Sequence, residues 1–464
     1  MSARDLSLSE QLAAFVAGIT ADAIPVAVVH KTKRHILDTM GAALAGAAAS
    51  ETRSAVAVMN ADGHGDAAVW GTRRSLGARS AAFVNGVAAH ALELDDAGGC
   101  DHSGAVVMPA VFAALNCTPR PVSGREFLAA VVLGYDVGRR VLEACGGYSP
   151  HNGYGWHSTM TCGVFGAAAA SARILGLDAS QTAAAFGHAG SFSGGLWGFI
   201  HDASQTKRMH TGRASEGGLL AALLAREGVT GPTQVFADKW GGFFNAFARD
   251  TREPQALLHE LGENWKVMRC SIKPHASCRS AHAAVDATLD LAHSTPFSLD
   301  ELEGVHIRLS GFVANMCGGR DLRVLASSQM SLPYAVASAL VNGHAALAAY
   351  LEAARREPRM AAAMGRITLE VDPSMSDLDE PIVTLTRRDG TSSSRQVLTP
   401  LGDPRNPLSD AALLAKYRSL ATIVLDDAST NALADAILAL EDVADVRALL
   451  AWLPGDADRQ PMLR

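Results

Sequence analysis

The sequence lacks the features of a nucleic-acid-binding or membrane protein. Its 40 basic and 47 acidic residues give a net charge of -7 without a long run of one sign, so neither nucleic acid nor an anionic membrane is an expected partner. The most apolar windows, near 160–175 and 336–351, are interrupted by Arg173 and by Asn342-Gly343-His344, and they predict buried helices instead of membrane spans. The first residues show no secretory pattern, so a cytoplasmic location is expected.

Several motifs of cofactor and disulfide chemistry are also missing. The chain has no GxGxxG after a strand, no GxxxxGK[ST] loop and no HExxH, which excludes the usual nucleotide sites and zinc-protease sites. No two cysteines form a CxxC pair, and their scattered, odd number predicts reduced, buried thiols. The seven are Cys100, Cys117, Cys145, Cys162, Cys270, Cys278 and Cys317.

Lysine is scarce as well. Only seven of the 40 basic residues are lysines, so a lysine in an apolar or glycine-rich setting indicates a need for a compact, titratable ammonium group. Lys207 and Lys273 have such settings. The hydrophobic share of 48% is enough to bury the cores of two domains of unequal size.

The spacing of apolar residues predicts a mainly α fold with a large all-helical domain and a smaller α+β lid domain. Apolar and small residues recur every three or four positions over 8–252, as in a crowded helical bundle. The lid, 266–400, has helical runs at 280–292 and 332–356 and strand-like alternation at 305–310, 367–371, 382–386 and 395–398, with Asp389-Gly390 as a hairpin turn. Three prolines then precede a helical segment, 410–452, so 1–265 and 401–464 together form the helical domain.

Titratable residues are concentrated between Asn85 and Gly104. Helical spacing predicts that His90, Glu93 and Asp96 lie on nearly one helix face, that Gly98-Gly99 ends the helix, and that Asp101-His102 lies on the following loop. Such a loop can present an imidazole to a small molecule.

Four polar segments, 90–104, 155–159, 204–213 and 273–279, each form a short loop that enters a helix of small residues. Exposed N–H groups at helix N-termini bind carboxylates, so we expect one cationic pocket that holds a di- or tricarboxylate. Removing a proton beside a carboxylate needs cations and a base with a pKa near the working pH. Histidine fits this role, and so does a buried lysine whose pKa is lowered by Arg208. The candidates are His102, His157, Lys207 and Lys273.

Other interpretations of the same residues stay open. His90 and His188 fit buried structural histidines, Lys207 fits a helix-end residue, and Glu93, Asp95 and Asp96 fit a solvated helix end. Ser204 and Lys207 match the SxxK acyl-transfer pattern without its partner motifs. A metal-dependent hydrolase would use Asp101, His102, His201 and Asp202. A chain that binds small acids without turnover is a further alternative.

Taken in order, the polar segments resemble the MmgE/PrpD family, which includes 2-methylcitrate dehydratase, cis-aconitate decarboxylase and iminodisuccinate epimerase. The resemblance covers almost the whole chain. It runs through His90-Ala-Leu-Glu-Leu-Asp-Asp96, His102-Ser-Gly104, Trp156-His-Ser-Thr159, Thr206-Lys-Arg-Met-His-Thr-Gly-Arg-Ala214, Lys273-Pro-His-Ala-Ser-Cys278 and Ser331-Leu-Pro-Tyr-Ala-Val336. It implies a helical domain built from both chain ends, an α+β lid, a homodimer, and chemistry in the interdomain cleft without cofactor or metal.

The resemblance also implies roles for individual residues. Catalytic positions fall on His102, His157, Lys207, Lys273 and Tyr334. Substrate-binding positions fall on Glu93, Asp96, Arg213, His275 and Cys278. Glu93 stands where the family usually has aspartate, Ala97 replaces a threonine, and His102 lacks the usual following proline, so the substrate of a named member is not transferred.

The leading functional hypothesis is a lyase that removes water from a hydroxylated di- or tricarboxylate. His102 or Lys207 takes the proton, Lys273, His157 and Arg213 bind carboxylate, and Tyr334 or a histidine protonates the leaving hydroxyl. Decarboxylation and epimerisation stay open as alternatives, because all three reactions pass through a carbanion-like intermediate.

Overall fold

The structure, a computed structural model, describes residues 6–202, 204–294 and 296–463. It is 58% helix and 8% strand, which confirms the prediction of a mainly α protein with a smaller α+β part. All seven cysteines are free thiols, as predicted. Within the described residues, no helix has the length and apolar character needed to cross a bilayer.

The first part of the chain is a bundle of helices with one short hairpin. Its helices are α1 (Leu8–Gly18), α2 (Val26–Gly46), α3 (Ser50–Met59), α4 (Ala78–His90), α5 (Ser103–Leu115), α6 (Gly124–Ala144), α7 (Tyr148–Gly153), α8 (Ser158–Thr161), α9 (Gly163–Leu175), α10 (Ala179–Phe192), α11 (Thr206–Arg226) and α12 (Phe243–Phe247). The hairpin pairs β1 (Ala67–Ala68) with β2 (Ser75–Leu76).

Local sequence explains where several of these helices begin. Ser7 and Glu10 form a capping box at α1, and Asp178 and Gln181 form another at α10, so backbone N–H groups of the first turn are satisfied. Small residues allow close packing inside the bundle. A Cβ at Gly166 of α9 would lie 2.5 Å from the carbonyl oxygen of Gly134 in α6, so only glycine fits there.

The second part contains a four-stranded sheet and six helices among the described residues. These elements are α13 (His282–Ser294), β3 (Leu302–Leu309), α14 (Gly311–Cys317), α15 (Leu325–Gln329), α16 (Leu332–Asn342), α17 (Glu352–Arg355), α18 (Pro358–Gly365), β4 (Ile367–Val371), β5 (Ile382–Arg387) and β6 (Ser392–Gln396). The strand order is β4-β3-β5-β6, with β3 parallel to β4 and antiparallel to β5. The Asp389-Gly390 turn joins β5 to β6, as the sequence predicts.

Three boundaries differ from the prediction. The helical run expected over 332–356 stops at Asn342, because Gly343 adopts a left-handed conformation (φ 69°) that ends α16. The fourth strand is β6 at Ser392–Gln396, earlier than the predicted 395–398. Helix α4 ends at His90, well before Gly98, and the reason lies in the site described below.

The chain end packs on the first part of the molecule. Helices α19 (Asp410–Ala421) and α20 (Asp427–Leu438) follow the proline-rich linker. Tyr417 of α19 packs directly against Gly41 of α2, and its hydroxyl donates to the Thr430 carbonyl of α20 at 3.1 Å. One hydrophobic core joins these helices to α2, α5 and α6, and a second fills the space beneath the sheet.

The contact between α2 and α4 gives a stability prediction. A Cβ at Gly46 would lie 1.9 Å from the carbonyl oxygen of Ala88, so G46A must separate the two helices. We expect a lower midpoint in urea and a loss of about 1–3 kcal/mol in the free energy of unfolding. Gly18→Ala is the matched control, because no heavy atom lies within 4 Å of its added Cβ. Equal midpoints for the two variants would contradict the packing described.

Candidate active site

A cavity of about 590 Å³ lies where the helical part meets the sheet-containing part. Five of the sequence-predicted site residues line it: Glu93, His102, Lys207, Lys273 and Cys278. His157 lies immediately behind, with its Nε2 3.8 Å from the Oδ2 of the lining residue Asp101. The structure therefore brings together the imidazole at 102 and the ammonium groups at 207 and 273.

The loop between α4 and α5 forms the floor of this cavity. Two of its non-glycine residues have positive φ, Glu93 (52°) and Asp101 (121°). Such conformations cost roughly 1–3 kcal/mol each and persist only where surrounding contacts fix them. The predicted continuation of α4 to Gly98 is wrong because the chain turns at Glu93 to direct its carboxylate toward the cations.

Hydrogen bonds to other parts of the chain hold the loop between α4 and α5 in place. The carboxylate of Asp96 accepts hydrogen bonds from the Gly104 backbone N–H at 3.0 Å and from Nδ1 of His35 at 3.1 Å. Ala97 and Ser271 exchange two backbone hydrogen bonds of 3.1 and 2.8 Å, which join the loop to the start of the lid segment. Asp96 therefore positions the loop, and its side chain does not line the cavity.

Glu93 is the centre of a buried ion-pair cluster. Its Oε1 accepts from Lys207 Nζ and, at 2.7 Å, from Arg208 Nη1, and its Oε2 accepts from Lys273 Nζ at 3.1 Å. Burial would raise the pKa of Glu93, but the three cations outweigh it and hold that pKa well below its usual range. Burial would likewise lower the pKa of Lys273, but Glu93 and Asp95 outweigh it and raise that pKa.

His102 lies between two carboxylates. Its Nδ1 is 2.9 Å from Asp95 Oδ2 and 3.0 Å from the Asp96 carbonyl oxygen, and its Nε2 is 3.4 Å from Asp101 Oδ2. Burial lowers the pKa of His102, but Asp101 and Asp95 outweigh this effect and the pKa is raised above its ordinary value. The two carboxylates thus favour the protonated form of His102 more than it is favoured in a free imidazole.

The neighbouring imidazoles are neutral. His157 Nδ1 lies 2.9 Å from Nδ1 of His210, and burial together with His210 holds the pKa of His157 well below its ordinary value. Burial and Lys207 lower the pKa of His210 to about 4. Burial lowers the pKa of His90 to about 3 despite Asp95. The pKa of His102 is therefore raised, whereas those of the three neighbouring histidines are lowered.

Three sequence-predicted residues lie elsewhere. Tyr334, expected to be catalytic, is fully buried and donates its hydroxyl to the Ala349 carbonyl at 2.6 Å in the core under the sheet. Arg213, expected to bind substrate, has a half-exposed side chain paired with Glu216. His275, expected to do the same, pairs with Asp286 at 2.8 Å. The structure does not place these three on the cavity, because each is engaged by a structural partner away from it.

The expected cationic pocket is electrostatically mixed. Its basic lining residues are Arg139, Lys207, Arg269, Lys273, Arg279 and Arg405. Its acidic lining residues are Glu93, Asp101, Asp377, Asp379, Glu380 and Asp403. At the buried end, Lys207, Lys273 and His102 meet the carboxylates of Glu93 and Asp101. This end is suited to bind carboxylate and to supply a proton.

The four residues of the metal-hydrolase alternative do not meet. His201 and Asp202 line a separate cavity on the far side of Lys207. Two other groups have ligand atoms within 4.8 Å of one another, His90-Asp95-His102 and Asp101-His102-His157. His102 belongs to both: its Nδ1 hydrogen-bonds the Asp96 carbonyl oxygen at 3.0 Å, and it lies at ion-pair distance from Asp95 (2.9 Å) and Asp101 (3.4 Å).

Sequence reasoning missed some partners of these residues. His210 lies in the motif that starts at Thr206, and its i, i+3 spacing from Lys207 puts both residues on one helix face. That spacing could have identified His210 as a neighbour of the lysine. No comparable signal marks the apolar residues that line the cavity opposite Glu93.

The ion-pair cluster generates a prediction. E93Q removes the carboxylate shared by three buried cations and leaves Lys273 with the longer contact to Asp95 at 3.9 Å. Breaking a buried pair costs about 3–5 kcal/mol in the free energy of unfolding. The matched control is Glu441→Gln, which removes a more exposed partner of Lys33 at 2.7 Å and should cost less than about 1 kcal/mol. Urea titrations of both variants measure the difference. Equal losses would show that Glu93 is not the structural centre described.

Known proteins are similar to this chain over nearly its whole length. The family models of the MmgE/PrpD N-terminal domain and the MmgE/PrpD C-terminal domain match residues 10–255 and 275–442. The chain is 30% identical to the cis-aconitate decarboxylase-like protein oryM of Aspergillus oryzae, over 97% of this chain and 98% of that one. It is 29% identical to the cis-aconitate decarboxylase of Aspergillus terreus, over 96% of both chains. It is 26% identical to that of Homo sapiens, over 97% of this chain and 95% of the human one.

These relatives are lyases by name, and the enzyme class predicted from the sequence agrees with them. The two matched models cover most of the chain in the order in which the two parts of the structure occur. The chain belongs to the MmgE/PrpD family, as its polar segments predict.

Proposed function

We propose that this protein is a decarboxylase of a small unsaturated polycarboxylate of the cis-aconitate type. The observation that carries this proposal is the buried imidazole of His102, held between Asp95 and Asp101 beside two lysine ammonium groups. Such a site supplies cations for carboxylates and one proton for a carbanion. The names of the relatives support the same choice.

The proposed step breaks the bond between the substrate carbon and one carboxylate, which leaves as CO2. The electron pair stays on the substrate and spreads over the double bond to a neighbouring carboxylate. Lys207 and Lys273 offset the charge that develops there. His102 gives its proton to carbon, and the neutral imidazole regains a proton from solvent, so one proton is consumed for each CO2 released.

Dehydration, the leading hypothesis from the sequence, is less well supported. It needs a base with a pKa near the working pH as well as an acid. The pKa of His157 is held well below its ordinary value, which makes it a weak base, and Lys207 is paired with Glu93. Decarboxylation needs only the donor. The reaction as written uses no cofactor. The proposal also includes a homodimer, which the family resemblance implies, and a cytoplasmic location.

The first test is a product analysis. Incubation with cis-aconitate and related unsaturated acids in heavy water should release CO2 and leave one solvent deuterium on carbon in the product, as mass spectrometry can measure. H102Q should lower kcat by about 10²- to 10⁴-fold, the usual contribution of a positioned acid. Loss of water from hydroxy acids, or proton exchange without CO2, would refute decarboxylation.

The control for that variant is His259→Gln, since the His259 side chain is largely exposed and lies off the cavity. It should keep wild-type turnover. If H259Q loses as much activity as H102Q, general instability explains the effect and the role of His102 is contradicted.

A second test uses pH. The proton donor is present below the raised pKa of His102 and is lost as the pH rises through it, so activity should fall on the alkaline side. Asp95, Asp101, Lys273, His90 and His157 face this imidazole. D101N removes one of the carboxylates that raise the pKa, so the alkaline limb should move down by about 1 pH unit. A limb that stays in place, or moves up, contradicts the assignment.

A further inference from the structure

The cavity has a second wall that the decarboxylation step does not use. Besides its charged residues, the cavity is lined by apolar and aromatic side chains, namely Tyr148, Trp197, Phe312, Val313, Met316 and Leu378. Val313 and Met316 are buried, whereas Leu378 is 71% exposed at the mouth. The wall therefore runs from the interior toward solvent.

Both parts of the molecule build this wall. The ring of Tyr148, at the start of α7, packs edge-on against Phe312 of α14, with centroids 6.4 Å apart at 81°. Met316, one turn further along α14, has its Sδ 3.6 Å from Sγ of Cys278. Since Cys278 and Lys207 also line the cavity, the apolar wall is continuous with the cationic end.

The size of the cavity exceeds what a small tricarboxylate needs. A volume of about 590 Å³ falls within the range of sites that enclose drug-sized ligands. A carboxylate placed against Phe312 or Val313 would lose hydration without a compensating hydrogen bond. The remaining space is suited to a hydrocarbon group.

We propose that the substrate carries an alkyl chain on its polycarboxylate head. The head occupies the end formed by His102, Lys207 and Lys273, and the chain lies along Tyr148, Phe312 and Met316 toward Leu378. For the reaction, this inference rests on the proposed function; for the class of ligand, it rests on the two walls of the cavity.

The test is a binding series with succinate and 2-alkylsuccinates from methyl to hexyl, measured by calorimetry. These saturated acids have no double bond over which the charge left by CO2 loss can spread, so binding is measured without turnover. We expect Kd to fall by about threefold to fourfold for each methylene, from about 0.8 kcal/mol per buried CH₂. An unchanged Kd across the series would overturn the inference.

Variants locate the chain. F312A should weaken binding of hexylsuccinate at least tenfold and change that of succinate less than twofold. The matched control is F297A, because Phe297 belongs to the same domain, packs near Arg387 and does not line the cavity. If F312A unfolds, L378A replaces it, since Leu378 is exposed and its loss should weaken only the longest chains. Equal effects of F312A and F297A would contradict the proposed path.

The two proposals can fail separately. If CO2 is released from cis-aconitate but Kd stays constant along the 2-alkylsuccinate series, the decarboxylase proposal stands and the alkyl chain is refuted. Tighter binding of longer chains without CO2 release from any unsaturated acid refutes decarboxylation and supports the ligand class.

Discussion

The buried carboxylate of Glu93 organises this molecule. Lys207 and Arg208 reach it from the first turn of α11, and Lys273 reaches it from the segment that enters the lid. Arg208 also donates to Gln329, whose side-chain amide donates to the Leu92 carbonyl, so the same cluster fixes the end of α15 to the loop. A carboxylate at this depth without cations would be protonated, and the cations without it would be unpaired. The ion pairs thus connect α11 and the segment that contains Lys273 to the loop that follows α4.

The pKa values of His102 and its neighbouring histidines follow from burial and from the charged groups beside them. The four histidines of the site are all buried, and burial alone favours the neutral imidazole. His90 and His102 each have a carboxylate near both ring nitrogens, but burial outweighs the carboxylates at His90, whereas Asp95 and Asp101 raise the pKa of His102. His157 faces another imidazole through its Nδ1. The protonated form is therefore favoured at His102, next to the ammonium groups. The fold separates a proton donor from weak acceptors by the placement of Asp95 and Asp101.

The sequence predicts regular elements better than it predicts contacts. Strand β4 falls on the predicted residues because alternation of apolar and polar side chains is a local property. The set of His102, Lys207 and Lys273 could be predicted from the sequence because each stands in a polar segment between helices of small residues. The end of α4 could not be predicted, since the backbone conformation at Glu93 depends on cations that are distant in sequence. Tyr334 is the opposite case. Its motif matches the family, but its hydroxyl donates to the Ala349 carbonyl in the core under the sheet. The apolar wall combines Tyr148 and Phe312, neither of which has an unusual sequence setting.

The pairing of Ala97 with Ser271 has a consequence for how such a site can change over time. Both hydrogen bonds run between main-chain atoms, so they are insensitive to which side chains occupy the two positions. A threonine at position 97, which the family resemblance implies, would keep both hydrogen bonds because they join only main-chain atoms. Mutation and selection can therefore alter substrate preference at the floor of the cleft while the scaffold that carries it is inherited intact.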